Sequence, residues 1–164
     1  MILTLRTFTI VHVVLSLVGI ASGLFVLLGL LTGKRADRWT ALFLATTVAT
    51  SLTGFGFPVD HVLPSHVVGV ISLAVLAVAI IARYVRHLAG SWRRIYVITA
   101  MVALYLNVFV LVVQLFRKVP ALEAMAPTQS EPPFAVAQLI VLALFVTLTA
   151  IAAKRFRNEP VRMA

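Results

Sequence analysis

The sequence predicts an all-α integral membrane protein, a single domain whose five transmembrane helices pack as a bundle. Of its 164 residues, 62% are hydrophobic and 12% are charged, whereas soluble domains are about half apolar and about a quarter charged. The mean hydropathy is +1.08. The charged residues leave five charge-free runs, each long enough for the roughly 20 helical residues that cross a bilayer. The runs are continuously apolar rather than alternating, so transmembrane strands are not expected.

The five predicted helices cover about residues 7–33, 39–57, 64–86, 92–117 and 134–155. The first run is longer than the roughly 7–15 apolar residues of a secretory signal, and no small-x-small cleavage pattern follows it. We therefore expect it to remain as a helix of the mature protein. An odd number of crossings places the two termini on opposite sides of the membrane.

Basic residues are concentrated on one predicted side of the membrane. Segment 34–38 carries three, segment 83–94 four and the tail from Lys154 another four, so eleven of the fourteen share a side. Arg6, Arg117 and Lys118 fall on the other. By the positive-inside rule, the N-terminus is predicted outside and the C-terminus in the cytoplasm. The net charge of +9 is therefore interpreted as orienting the chain rather than binding nucleic acid.

The chain contains no cysteine. Disulfides, thiolate metal sites, covalently attached c-type haem and thiol redox chemistry are all excluded. No serine, histidine and acid arrangement, paired intramembrane carboxylates or phosphate-binding glycine loop is present either. No catalytic residue is predicted, and an enzymatic role is not favoured.

The first predicted helix carries four small or polar residues on one face: His12, Ser16, Gly19 and Gly23. The Gly19-x-x-x-Gly23 spacing predicts a close approach of another helix, so His12 is expected to point into the bundle. Asp37 is a candidate N-cap for the second helix.

Two prolines and an asparagine later in the chain also predict local structure. Pro64 is expected to begin the third helix and Pro120 a short interfacial helix, because a proline in the first helical turn sacrifices no hydrogen bond. Asn107 lies near mid-membrane in the fourth helix, where an amide needs a partner. We expect that partner to be a hydroxyl of the threonine-rich second helix.

One hydrogen-bonding side chain on each of four helices is predicted at a similar depth near the outer surface. These residues, with the deeper Asn107, form the hypothetical ligand-binding set: His12, His66, Gln114, Gln138 and Asn107. Intramembrane polar groups often mark ligand, ion or proton sites. The alternative interpretation is that the histidines and glutamines only join helices or reach towards the interface.

Histidine chemistry suggests cofactors for such a site. His12 and His66 could ligate a b-type haem or hydrogen-bond a quinone. A metal or haem set of His12, His66, His61 and Asp60 is also possible, but a zinc site would need the outer loop to fold inwards, since zinc takes three or four ligands.

Three segments resemble small uncharacterised multi-pass inner-membrane proteins of Gram-negative, alphaproteobacteria-like bacteria: RWTALFLATT at Arg38–Thr47, LPSHVVGVISLAVLA at Leu63–Ala77 and KVPALEAMAPTQSEPPF at Lys118–Phe134. The resemblance implies a bacterial inner membrane and carries no activity to transfer.

Three functions are compatible with this sequence. The first is a non-enzymatic membrane protein, either an accessory subunit or a binder of a lipophilic ligand in an outer-leaflet pocket. The second is a redox protein that uses haem b or quinone, and the third is a small transporter or channel. The expected partners are the lipid bilayer and a larger membrane complex or a second copy of the chain, with no nucleic acid.

Overall fold

The computed structural model describes residues 2–58 and 64–156, and these residues form helices and no strand. The elements are α1 (Ile2–Leu31), α2 (Asp37–Gly54), α3 (Pro64–Ile80) with a π-helical continuation (Ile81–Val85), α4 (Trp92–Lys118), the short α5 (Pro120–Met125) and α6 (Pro132–Arg155). The all-α prediction is confirmed.

Four of the described helices are long and apolar enough to cross a membrane: α1, α3 with its π-helical turn, α4 and α6. Helix α2 differs because it has 18 residues, begins with Asp37 and Arg38, and carries many hydroxyl groups. Five of its seven buried residues are threonine or serine. Most of its hydroxyl groups therefore face the protein interior, where neighbouring helices cover them.

The helices pack around α2 and α4. Helix α1 lies along α2, α2 contacts α3, and α3 and α4 are neighbours joined by a short connection, as predicted. Helix α4 also contacts α1 and α6. The largest fully buried side chains come from α2, α3 and α4: Phe43, Leu76, Tyr96, Val97, Met101 and Leu104.

The glycine pair of α1 is a close-packing site, as its spacing predicted. A Cβ at Gly23 would lie 2.5 Å from Leu104 Cδ1 and 2.9 Å from Phe43 Cδ2. A Cβ at Gly19 would lie 3.2 Å from Thr47 Oγ1. Only the absence of a side chain at these two positions lets α1 approach α2 and α4 this closely.

The helices begin and end near prolines and glycines, and not only at the charged residues that bound the predicted runs. Helix α1 starts before Arg6, because a charged side chain at a helix end can remain exposed. Helix α2 stops at Gly54, earlier than predicted, just before Gly56 and Pro58. Pro64 begins α3 and Pro120 begins α5, as expected.

The prediction that Asp37 caps α2 is wrong. Ala36 occupies the N-cap position, and no side chain caps the helix. Asp37 instead forms an ion pair with Arg83 of the π-helical turn. The Asp37 carboxylate therefore binds an arginine that follows α3 and does not cap the start of α2.

The basic segments meet at one end of the bundle, called the basic end below. There Arg83 pairs with Asp37, and Arg155 Nη1 donates a hydrogen bond to the Leu31 carbonyl oxygen at 3.3 Å. At the opposite end, His12 contacts Thr53 and the ring of Phe116 packs against that of Phe134. Most of the basic residues therefore lie at the end of the bundle opposite His12, whereas Arg6, Arg117 and Lys118 lie at the His12 end.

Candidate ligand-binding cavity

A cavity of about 100 Å³ lies between α1, α2, α3 and α4 on the side of the bundle opposite the basic end. Eight of its lining residues carry hydrogen-bonding side chains: His12, Ser16, Thr50, Ser51, Ser65, His66, Ser72 and Asn107. The rest of the wall is apolar or glycine: Gly54, Phe55, Val68, Gly69, Leu106 and Val110. Polar groups buried between apolar helices normally face a partner or water, so this concentration marks a candidate binding site.

His12 is held in one orientation by α2. Its Nδ1 lies 2.8 Å from Thr53 Oγ1, and its ring meets the ring of Phe57 edge-on at 5.2 Å between centroids. The Thr53 hydroxyl donates its own proton to the Ala49 carbonyl oxygen at 2.8 Å, so it accepts from His12 Nδ1–H. In neutral His12, Nε2 therefore remains as a hydrogen-bond acceptor.

His66 forms the opposite wall with an aromatic neighbour. The Phe55 ring stacks on the His66 imidazole, with centroids 5.6 Å apart and planes 13° apart. Gly69, one turn further along α3, makes room for this ring, because a Cβ there would lie 3.0 Å from Phe55 Cζ. The half-buried His66 is thus positioned by the end of α2 and by the first turns of α3.

The deep part of the cavity holds an unpaired hydroxyl group. Thr50 Oγ1 is buried and has no hydrogen-bond partner among the described residues. Ser51 Oγ lies 3.2 Å from Ser72 Oγ and 3.0 Å from the Thr47 carbonyl oxygen, so those groups are satisfied. Among the hydroxyls that line the cavity, that of Thr50 is therefore the buried one left without a hydrogen bond.

A hydrogen bond closes the floor of the cavity. Asn107 Nδ2 donates to Thr47 Oγ1 at 3.1 Å, which confirms the predicted pairing of Asn107 with a hydroxyl of the second helix. Gly19 lies against this pair. Below it, Phe43, Met101 and Leu104 are at most 2% exposed, so within the described residues the cavity does not continue through the bundle.

The structure brings together three of the five predicted ligand-binding residues and separates the other two from them. His12, His66 and Asn107 line the cavity. Gln138 lies at the α4–α6 contact, where its Nε2 donates to the Phe109 carbonyl oxygen at 3.2 Å. Gln114 is half-buried on α4 and is not a lining residue of the cavity.

Several lining residues were not among the predicted set. Ser16 follows His12 by four residues, and Ser65 and Ser72 flank His66 and Gly69 along one face of α3. This spacing is a usable signal. Thr50 has no comparable signal, since it is one of several hydroxyls on α2.

The size and lining of the cavity limit the cofactors that its histidines can bind. The cavity of about 100 Å³ is smaller than the roughly 300–1,000 Å³ of drug-sized ligand pockets, so a haem macrocycle does not fit between His12 and His66. A benzene-sized ring takes a cavity of roughly 150 Å³, so a quinone ring does not enter this cavity whole. Within the described residues, no three histidine, aspartate or glutamate side chains group as metal ligands, and His61 and Asp60 lie outside those residues.

Comparison with known proteins identifies no relative for this chain. No protein-family model, curated protein or solved structure matches it. The function is therefore inferred from the cavity itself.

Proposed function

We propose that this chain is a small integral membrane protein that crosses the bilayer five times, with its N-terminus outside. The distribution of side chains supports insertion, because large apolar residues are exposed on the outside of the bundle while serine, threonine, asparagine and arginine are buried inside. This is the arrangement that a lipid solvent favours. Helix α2 then serves as the fifth crossing, since its buried hydroxyls are shielded from lipid.

The proposed orientation rests on the basic end. By the positive-inside rule, the end with residues 34–38, the Arg83 ion pair and Arg155 is cytoplasmic. The cavity then opens towards the outer leaflet. A bacterial inner membrane is the location that the sequence resemblance implies, and assembly into a larger membrane complex or a homo-oligomer stays a prediction.

Within this framework, the protein binds the small polar head of an amphipathic lipophilic molecule, as a non-enzymatic binder or accessory subunit. The single observation that carries this proposal is the buried, unpaired Oγ1 of Thr50, a residue that lines the polar cavity. A buried polar atom without a partner costs about 1–3 kcal/mol, and a ligand hydroxyl or carbonyl group can satisfy it. His12 Nε2 supplies an acceptor in the same cavity.

The size and chemistry of the cavity define the ligand class. A cavity of about 100 Å³ is smaller than the roughly 150 Å³ cavity that holds a benzene molecule, so the head that enters it is a small polar group. The lining is hydrogen-bonding and formally uncharged when the histidines are neutral. We therefore expect a neutral hydroxyl, carbonyl or amide head whose apolar tail remains in lipid.

The geometry favours a binder over a channel. A pore needs a continuous polar path, whereas the polar lining here ends at the Asn107–Thr47 pair. The core on the basic side of that pair is closed by large apolar side chains. A site with one entrance fits a bound molecule better than passage of a solute.

The proposal is tested by identifying what co-purifies with the protein. Protein isolated in mild detergent is extracted with organic solvent, and the extract is analysed by mass spectrometry. Thr50→Val removes one hydrogen bond of about 1–1.5 kcal/mol and should reduce ligand retention by about tenfold. The matched control is Thr149→Val, because the Thr149 hydroxyl bonds its own helix in α6, away from the cavity.

Two results would contradict the proposal. One is an extract from wild-type protein that contains no amphipathic molecule beyond the bulk membrane lipids. The other is equal retention by wild-type protein and the Thr50→Val variant. A Soret band in the same preparation would show that haem binds and that the stated ligand class is wrong.

A further inference from the structure

A second recess lies at the basic end, about 430 Å³ in volume, between the start of α2 and the π-helical turn after α3. We call it the basic recess. Its polar lining comes from six residues: Arg35, Asp37, Arg38, Arg83, Tyr84 and His87. It shares no residue with the ligand-binding cavity.

One side of the basic recess is rigid because Arg83 is fixed. The Arg83 side chain is 7% exposed and pairs with Asp37, which is 72% exposed. Its guanidinium carbon lies 5.1 Å from the centre of the Tyr96 ring and 5.8 Å from that of Tyr84. Such cation–π contacts and an ion pair hold a cation in one place.

The backbone beside Arg83 is unusual. Residues Ile81–Val85 form a π-helical turn, a feature found often at functional sites. His87 and Leu88 then adopt φ angles of +48° and +58°, in the left-handed region that non-glycine residues rarely occupy. Leu88 is buried, and its N–H bonds the Ala82 carbonyl oxygen at 3.0 Å, so core packing maintains this strained turn.

The basic recess carries more positive than negative charge. Three arginines line it against one carboxylate. Elsewhere at this end, Arg86 stacks on Trp92 and Arg93 on Phe156. Arg35 and Arg38 are exposed, and neither makes a hydrogen bond or ion pair with another described residue, so both guanidinium groups can engage an anion.

We propose that the basic recess binds the phosphate group of an anionic phospholipid in the adjoining leaflet. Arginine guanidinium groups match phosphate oxygens with paired hydrogen bonds, and basic pockets on the cytoplasmic side of membrane helices suit anionic head groups. Exposed Tyr84 and Trp39 at this end are typical of the interfacial aromatic belt. Ile81 and Val85, exposed on the same turn, provide apolar surface for the acyl chains.

The test uses protein in nanodiscs of phosphatidylcholine mixed with phosphatidylglycerol, and native mass spectrometry of the lipids that stay bound. The test variant is the double substitution Arg35→Gln with Arg38→Gln. The matched control is Arg94→Gln with Lys154→Gln, which removes two exposed charges at the same end but outside the recess. Both variants are checked for wild-type helicity and elution volume.

We expect wild-type protein to retain phosphatidylglycerol in preference to phosphatidylcholine. Each arginine near an anionic lipid contributes about a factor of five, so the test variant should reduce this preference about 25-fold. The control should reduce it less than the test variant does, because its charges attract the leaflet only at a distance and make no contact with a phosphate in the recess. No preference in the wild-type protein, or an equal loss in both variants, would overturn the proposal.

A soluble phosphate compound is the other source of the same chemistry. The nanodiscs are therefore also incubated with millimolar inorganic phosphate or glycerol phosphate. We expect phosphatidylglycerol to stay bound, because its acyl chains contribute apolar contacts that the soluble ions lack. Displacement by either soluble ion would overturn the lipid assignment. The Thr50→Val result is unaffected by any of these outcomes, since no recess residue lines the cavity.

Discussion

Thr50 is the residue whose environment differs most from that of its neighbours. Thr46 and Thr53 on the same helix donate to carbonyl oxygens four residues earlier, at 2.7 Å and 2.8 Å. This is the usual way in which a membrane helix satisfies its hydroxyls. Thr50 Oγ1 is buried without such a bond, which is why we propose that it binds the ligand.

Replacing Thr50 by valine should therefore have opposite effects on stability and on ligand retention. In ligand-free protein, Thr50→Val removes an unsatisfied buried hydroxyl and should raise the free energy of unfolding by about 1 kcal/mol. Retention of the co-purified ligand should fall in the same variant. Thermal unfolding of delipidated protein in detergent measures the first effect. A destabilised Thr50→Val variant would show instead that the hydroxyl has a structural partner.

The sequence indicates some of these residue environments and conceals others. Asn107 was paired correctly with the second helix, because an amide at mid-membrane facing a threonine-rich helix has few alternatives. Depth along a helix axis, however, does not fix rotation about it. Gln138 therefore shares a predicted depth with His12 and His66 but bonds the backbone of α4. Thr50 was missed because only packing shows which of several hydroxyls lacks a bond.

At the scale of elements, the crossing of α1 with α2 and α4 depends on Gly23. A Cβ there would lie 2.5 Å from Leu104 Cδ1 and 2.9 Å from Phe43 Cδ2. Phe43 is 1% exposed, so its ring is surrounded by other side chains of the core.

We expect Gly23→Val to destabilise the bundle by about 1–3 kcal/mol, the usual cost of overpacking a core. The control is Gly54→Ala, whose new Cβ would have its nearest neighbour, His12 Cε1, at 3.8 Å. Equilibrium unfolding by a denaturing detergent compares the two variants. Equal stabilities would contradict the close contact at Gly23.

The segment before α6 is held by the Glu131 carboxylate. It accepts hydrogen bonds from the Thr128 N–H at 3.1 Å, the Thr128 hydroxyl at 2.9 Å and the Ser130 N–H at 3.1 Å. Desolvation acts to raise the pKa of Glu131, but these hydrogen bonds outweigh it and leave the pKa below its ordinary value.

A lowered pKa in the folded state fixes the sign of the pH dependence. The hydrogen bonds of the Glu131 carboxylate contribute fully to the stability of this segment above the pKa of an unfolded glutamate. That contribution is lost as the pH falls through the lower pKa of the folded state. Amide exchange at Thr128 and Ser130, corrected for intrinsic rates, should therefore accelerate on acidification. Glu131→Ala should show the same acceleration at neutral pH, and Glu123→Ala in α5 should not. Unchanged exchange in the Glu131→Ala variant would contradict this role.

For the whole molecule, the main feature is an apolar exterior around a polar interior. Helix α6 illustrates the exterior, since only Phe145 and Ala152 of its residues are buried. Helix α2 illustrates the interior, with its hydroxyls turned towards α1, α3 and α4. Composition predicted the helical class because charge-free runs of this length have few other structures. Composition does not establish α2 as the fifth crossing. An average hydropathy counts the hydroxyl groups of α2 as if they faced lipid, although most of them face the interior.

The measurement that tests the account most directly is cysteine accessibility, which the absence of native cysteine makes straightforward. Single cysteines replace Ser65 and Ser16 in the cavity, Ser22 in the closed core and Lys34 at the basic end. Intact cells are then treated with a small, membrane-impermeant thiol reagent. We predict that Ser65→Cys and Ser16→Cys react from outside, Lys34→Cys only after permeabilisation, and Ser22→Cys in neither condition. Reaction of Lys34→Cys in intact cells, with Ser65→Cys and Ser16→Cys protected, would contradict both the orientation and the outward-opening cavity.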